Sequence, residues 1–321
     1  MTAPTLSGPI VLAHAAYRLG DAYAARGAPQ PFVEVRDLAA LDDAVAEAEV
    51  LVVSGLWRHS LLERAPRLRF IQSISAGTDQ FPKDALRERG IRLASAQGGN
   101  ERAVAEHALA LMLGLTRHLP EALRHQAAAT WRPMIADPAL RERELGGRTL
   151  LVIGLGRIGT RIARLARGFD MRVIGLRRRP IEPGDPVAAV FSPDRLHEAL
   201  AQAGVVALAC PLTPETEGLI DEAALAAMRP DALLINVARG RVVDQDALAR
   251  ALADSRIAGA GLDCFHEEPL PPEAPFWGMP NVIVTPHSAG ETNLYEGRVV
   301  DLLIENLGRL RRGEELLNPV V

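Results

Sequence analysis

Cysteine is scarce in this 321-residue chain, with Cys210 and Cys264 its only two. They are too few for a disulfide framework and lack the spacing of a metal site, so no metal is expected. Each reads as a small buried apolar residue in a reducing compartment. An excess of charge of one sign is also missing. The formal net charge of −4 gives no general attraction to nucleic acid or to an anionic membrane, so an anionic ligand has to be held by local cations. No apolar run approaches the length that spans a bilayer, and Met1 to Pro9 show no basic stretch followed by an apolar core. Short-period repeats and low-complexity tracts are absent too. These absences leave a cytoplasmic globular protein, long enough for two domains with cores of their own.

Apolar runs at Ile10 to Leu12, Phe32 to Val35, Val50 to Val53, Phe70 to Ile74 and Ile91 to Leu93 alternate with helix-like stretches, the rhythm of repeated strand-helix units. Asn100 is placed to cap a long helix whose apolar positions Val104, Ala108, Leu111, Met112 and Leu115 recur at helical spacing. The stretch Trp131 to Gly147, with Pro133, Pro138 and a closing Gly146-Gly147, reads as an arm or loop. Six further apolar runs follow, and then a last helix over roughly Thr292 to Arg311. That helix is expected to return to the first half, giving a domain of 1–98 and 289–321 around a second domain of 99–288.

The first of the six runs, Leu150 to Ile153, enters Gly154-Leu155-Gly156-Arg157-Ile158-Gly159, and a helix-like stretch leaves it. Glycine at 154 permits a tight turn, at 156 lets the backbone approach a pyrophosphate, and at 159 lets helix and strand pack closely. The helix amino end then offers free N–H groups to the anion. A strand before, a helix after and a second strand over Met171 to Leu176 make this a dinucleotide site. Where that second strand ends, an acidic residue would accept hydrogen bonds from the ribose hydroxyls of NAD, but Arg177-Arg178-Arg179 stand there. A guanidinium fork suits a ribose phosphate, so NADP(H) is the expected cofactor and NAD(H) the secondary one. The loop Pro211 to Thr216 is expected against the nucleotide, with Thr216 able to cap the next helical turn.

Later runs also stop beside useful chemistry, as an open parallel sheet requires of residues that build a crevice beyond its carboxyl ends. Arg239 follows Leu233 to Val237 and can hold the carboxylate of a 2-keto acid in a bidentate contact. His287 follows Val282 to Pro286 and titrates nearest to neutral pH, which suits a proton donor. Glu268, beyond the run Ala258 to Asp263, can orient His287 and raise its pKa. Taken singly, each has a bland alternative as a surface or structural residue. Together, at successive strand ends, they point to catalysis.

These motifs, with Asn236-Val237-Ala238-Arg239-Gly240, Gly261-Leu262-Asp263 through Glu268-Pro269, and Thr285-Pro286-His287, resemble the D-isomer-specific 2-hydroxyacid dehydrogenase family over nearly the whole length. The resemblance implies a Rossmann-type doubly wound parallel domain beside a smaller flavodoxin-like α/β substrate domain. It implies catalytic Arg239, Glu268 and His287, with Val237 and Asp263 on the cofactor side. Backbone amides of Ala76 and Gly77 would bind the substrate carboxylate, and Leu56 and Trp57 would line the substrate side. It further implies a homodimer joined through 100–147. The departure is Arg177 in place of the usual aspartate, a feature shared with NADP-preferring glyoxylate and hydroxypyruvate reductases. Two other readings use the same scaffold: oxidation of an inorganic oxyanion, as in phosphite dehydrogenases, and nucleotide sensing, as in corepressors. Formate dehydrogenases usually pair their histidine with glutamine, and Glu268 argues against them.

Overall fold

The computed structural model describes residues 8–321, so most of the Met1 to Pro9 segment read for a targeting signal lies outside the described residues. Two compact units emerge: the chain up to Asn100 together with Glu291–Val321, and Glu101–Gly290. No helix among the described residues is long and apolar enough to cross a membrane.

In the first unit, strands β1 (Ile10–Ala13), β2 (Phe32–Val35), β3 (Val50–Val53), β4 (Phe70–Ser73) and β5 (Arg92–Ala94) form one parallel sheet in the order β2-β1-β3-β4-β5. Helices α1 (Leu19–Ala24), α2 (Leu38–Ala44), α3 (Leu61–Arg64) and α4 (Lys83–Glu88) make the crossovers. Asp37 caps α2, its side chain accepting from the Ala40 amide at 2.8 Å. Strands β1, β3 and β4 are buried along their whole length, which is why β1 and β3 read as unbroken apolar runs and not as alternating ones, while β4 buries the polar Gln72 and Ser73 at its end.

The second unit opens with α5 (Glu101–Thr116) and α6 (Leu119–Ala127). Strands β6 (Thr149–Ile153), β7 (Arg172–Leu176), β8 (Ala189–Phe191), β9 (Val205–Leu208), β10 (Leu233–Asn236), β11 (Gly259–Leu262) and β12 (Val282–Val284) follow, with α7 (Arg157–Arg167), α8 (Leu196–Gln202), α9 (Glu222–Ala227) and α10 (Gln245–Ala253) between them. The seven strands are parallel in the order β12-β11-β10-β9-β6-β7-β8. Register places Val282, Ala260, Leu234, Val206, Leu151 and Ile174 in one row across the sheet, and all six belong to one core cluster. Neighbours one residue on, among them Ile283, Ile235, Ala207 and Val152, face the other way and pack with Ala108, Leu111 and Met112 of α5. Both faces are thus covered by helices, the arrangement that lets a parallel sheet be apolar on each side.

From this unit the chain returns to the first sheet as α11 (Tyr295–Arg312). Its buried positions 295, 299, 303, 307 and 310 fall on one helical stripe and pack against Ile10, Leu12, Val50, Val52 and Phe70. Gly313, with φ of +68°, stops the helix, and its amide and that of Glu314 bond back to Leu310 and Arg309.

Several local expectations are corrected. Asn100 directly precedes α5, but its buried Oδ1 has no hydrogen-bond partner, so it does not cap. Thr216 caps no later helix: its hydroxyl donates to the Pro211 carbonyl at 2.7 Å and accepts from the Thr213 amide at 2.8 Å, folding 211–216 on itself. The helix that follows is capped by Asp221. Strand β8 and helix α6 were not foreseen as elements.

Candidate active site

In the second sheet the strand order reverses beside β6, with β7 on one side and β9 on the other. A crevice between β6 and β9 is where an open α/β sheet takes its ligand, and the glycine turn stands there. Gly154 has φ of +93°, and a Cβ on it would lie 2.7 Å from the backbone of Cys210 just beyond β9. A Cβ on Gly159 would sit 1.9 Å from the Gly154 carbonyl oxygen, so only glycine lets α7 start this close to β6. By contrast, nothing lies within 4 Å of a Cβ at Gly156. The first amides of α7, at Arg157, Ile158 and Gly159, have no intrahelical acceptor by helix geometry. Open space above a helix amino end fits the pyrophosphate of a dinucleotide. Arg157, at the first helical position, ion-pairs with Glu101 at 3.5 Å. Ile158 packs into the core beneath.

At the end of β7 the three arginines divide. Arg177 is largely buried and grips Asp185 with both terminal nitrogens, while its Nε donates to the Arg179 carbonyl at 3.0 Å and its Nη2 to that of Pro180. The Glu182 amide, and then Arg177, hold the Asp185 carboxyl below its usual pKa. The guanidinium expected to meet a ribose phosphate is therefore engaged inside its own loop. Arg178 and Arg179 are exposed. Arg178 lies close enough to Glu215, in the loop 211–216, to help the Thr213 hydroxyl keep that carboxyl low.

The reactive residues stand on the three adjacent strands β10, β11 and β12. Asn236, which ends β10 and is 1 % exposed, accepts from the Ala238 amide (3.0 Å) and donates to the Arg239 carbonyl (3.0 Å), shaping the turn through Val237 that presents Arg239. Glu268 accepts from the Phe265 amide at 2.9 Å through Oε1, and its Oε2 lies 2.8 Å from His287 Nδ1. That bond lifts the His287 pKa above the ordinary imidazole value, against burial and the Arg239 charge, which both lower it. For Glu268, burial would raise the carboxyl, but the hydrogen bonds from His287 and Phe265 and the two cationic neighbours hold it low. The three side chains foreseen from sequence are therefore one electrostatic group. With Nδ1 committed to Glu268, the Nε2 proton of His287 is the one left for a substrate.

His287 itself has φ of +52°, a left-handed conformation costly for a non-glycine residue. Asp263, expected on the cofactor side, supplies the constraint. Its carboxylate, 2 % exposed, accepts from the Thr285 hydroxyl (2.6 Å) and from the amides of Ser288 (2.9 Å) and Ala289 (3.0 Å), so it staples the turn on both sides of His287. Because the Thr285 proton goes to Asp263, His107 Nε2, 3.0 Å from the same hydroxyl, is the donor in a second brace from α5. His107 was not singled out from sequence, although it lies on the same helical face as Val104, Ala108 and Leu111, and a polar residue on a buried face was the available signal. Asn236 carried the same kind of signal, a polar residue closing the apolar run from Leu233, whereas Asp185 carried none.

Gly240 lets the Glu268 loop pass. A Cβ there would be 2.0 Å from the Phe265 carbonyl carbon and 2.6 Å from the His266 nitrogen, and backbone cannot yield as a side chain can. Gly240→Ala is expected to cost about 1–3 kcal/mol of stability by overpacking and to displace Glu268 from His287. A thermal melt together with a pH-rate profile checks this: a lowered Tm with an unshifted histidine limb would show that the loop moved without disturbing the pair.

In the first unit, the loop after β4 is built by Ser54, whose hydroxyl oxygen accepts from the amides of Ile74 (3.1 Å) and Ser75 (3.0 Å). The next two amides, Ala76 and Gly77, make no hydrogen bond within the chain among the described residues, which suits them to a carboxylate. Leu56 is half-buried. Trp57 is not an open wall: it is 4 % exposed and packs in the core with Phe81, ring centroids 5.0 Å apart. Cys210 and Cys264 are buried thiols, burial pushing Cys210 up to about 11. No cluster of potential metal ligands occurs among the described residues.

Residues 109–289 match the model of the D-isomer specific 2-hydroxyacid dehydrogenase NAD binding domain. A glyoxylate reductase of Pyrococcus furiosus is 38% identical over 84% of this chain and 80% of its own length. A glyoxylate/hydroxypyruvate reductase B of Pectobacterium carotovorum is 36% identical over 87% of this chain and 88% of its own. Among solved structures, an NADPH-dependent glyoxylate/hydroxypyruvate reductase of Sinorhizobium meliloti in complex with NADP and malonate superposes with a TM-score of 0.83 at 28% identity, covering 98% of this chain and 97% of that one.

Proposed function

The chain belongs to the D-isomer-specific 2-hydroxyacid dehydrogenase family, and from that premise we propose that it reduces a small 2-keto acid, glyoxylate or hydroxypyruvate, to the 2-hydroxy acid with NADP(H) as preferred cofactor. The observation that carries the reading is the 2.8 Å contact between His287 and Glu268 beside Arg239. The bound nicotinamide supplies the hydride. Protonated His287 donates from Nε2 to the carbonyl oxygen, and Glu268 holds the ring in orientation and keeps it protonated. Arg239 neutralises the substrate carboxylate and polarises the carbonyl. A carboxylate-bearing substrate also suits the amides of Ala76 and Gly77.

The cofactor preference rests on Arg178 and Arg179 as donors to a ribose phosphate, with the Arg177–Asp185 pair holding their loop in shape. A homodimer through 100–147 accounts for the apolar side chains that α6 and the arm leave in water, Trp131 at 98 % and Met134 at 95 % exposure among them. Buried, unpaired thiols suit the reducing cytoplasm.

The test follows nicotinamide absorbance with glyoxylate, hydroxypyruvate, pyruvate and larger keto acids. Turnover with a small keto acid and NADPH is expected. In Arg178→Ser/Arg179→Ser, KM for NADPH should rise by about 10–100-fold, the range for losing hydrogen bonds to a charged group, while KM for NADH stays level. An equal rise for both cofactors removes these arginines from the phosphate. No turnover with any acid favours the sensor reading.

A further inference from the structure

The first unit holds a cavity of about 580 Å³ on the edge where its strands begin, opposite the edge that carries Ala76 and Gly77. Arg67, Arg69, Arg89 and Arg92 line it, with Glu49 as the only lining carboxylate among the described residues and Leu68, Phe70 and Leu310 as apolar floor. Nothing in the keto-acid chemistry uses these residues.

The arginines are unequally engaged. Arg67 reaches Glu47 at 2.5 Å and Glu49 at 3.7 Å. Arg89 donates to the Leu62 carbonyl. Glu49, with a side chain only 10 % exposed, also accepts from the Gly8 amide at 2.9 Å. Arg69 and Arg92 make no ion pair and no side-chain hydrogen bond among the described residues. Arg92 opens β5 and Arg69 immediately precedes β4, the Arg92 amide bonding to the Arg69 carbonyl at 2.9 Å.

Four guanidinium groups around one concavity repel one another; Glu47 and Glu49 both face Arg67, and Glu49 is also held by the Gly8 amide, which leaves Arg69, Arg89 and Arg92 without an ion pair among the described residues. Arginines elsewhere on the surface are commonly paired, as Arg195 is with Glu198 and Arg312 with Glu314. The chain as a whole carries a net charge of −4, so the cluster is a local reversal of sign. The cavity has the size of a small-molecule site, and its planar forks match oxyanions in two-point contacts. We propose that this cavity is a binding site for a small, multiply charged oxyanion, a phosphorylated or polycarboxylate metabolite, separate from the keto-acid and dinucleotide sites.

Calorimetric titration of inorganic pyrophosphate and of citrate into the NADPH-saturated protein, at fixed ionic strength, tests this. Cofactor saturation fills the site where pyrophosphate would otherwise bind. One site per chain is expected for at least one probe: pyrophosphate alone identifies the phosphate class, citrate alone the polycarboxylate class. Arg69→Gln/Arg92→Gln should weaken that binding by about tenfold or more, with NADPH affinity and keto-acid turnover unchanged. Arg69→Gln alone, at an exposed position, gives the same direction should the double variant misfold. Absence of heat with both probes overturns the proposal, as does equal binding by wild type and variants, or displacement of the probe by glyoxylate.

Discussion

With His287 replaced by asparagine, turnover of a keto acid is expected to fall by about 10²–10⁴-fold, the usual contribution of a positioned proton donor, while NADPH binding stays near its wild-type value. Asparagine is the informative replacement because position 287 has φ of +52°, and asparagine tolerates that region better than alanine. The turn held by Asp263 through Thr285, Ser288 and Ala289 should then survive, and the loss reports on the imidazole alone. The pH dependence has a definite sign. Glu268 raises the His287 pKa, so the protonated donor persists to higher pH than for a free imidazole. Reduction is therefore expected to decline as pH climbs through that raised value, and oxidation of the hydroxy acid, which needs the neutral ring, to increase over the same interval. In Glu268→Gln both limbs should move to lower pH. A profile that does not move, in the face of a measured loss of rate, would mean that Glu268 supports the loop and not the proton.

Much of this site was legible because a parallel sheet covered on both faces writes its strands as unbroken apolar runs, and its chemistry can stand only where those runs end. Gly154, Arg239 and His287 could be located that way, each one to three residues beyond its strand. Strand β8 could not: Ala189-Val190-Phe191 is three residues long, lies at the sheet edge and is half-exposed, so it leaves no such run. Contacts between loops were equally hidden. The basic corner at 177–179 was visible as composition, but the pairing of Arg177 with Asp185, eight residues on across a loop, is set by how 178–184 folds. Trp57, put on the substrate side by the family resemblance, packs against Phe81, a contact that the run before it does not disclose.

Arg239→Ala separates binding of the acid from binding of the nucleotide. The side chain follows an Asn236-built turn at the end of β10, while the glycine turn follows β6, two strands away in the sheet. Removing the guanidinium should lower kcat/KM for the keto acid by about 10²–10³-fold, as for loss of a preorganised group facing developing charge, and leave NADPH affinity within about twofold. Arg239→Lys should recover little of this, because an ammonium is a point charge and cannot form the two-point contact a carboxylate offers. A second signature distinguishes a catalytic from a structural arginine. The Arg239 charge lowers the His287 pKa, so in Arg239→Ala the residual activity should carry a histidine limb displaced to higher pH. Parallel loss of turnover and of nucleotide affinity, with the limb in place, would instead make Arg239 a scaffold for the β10 turn.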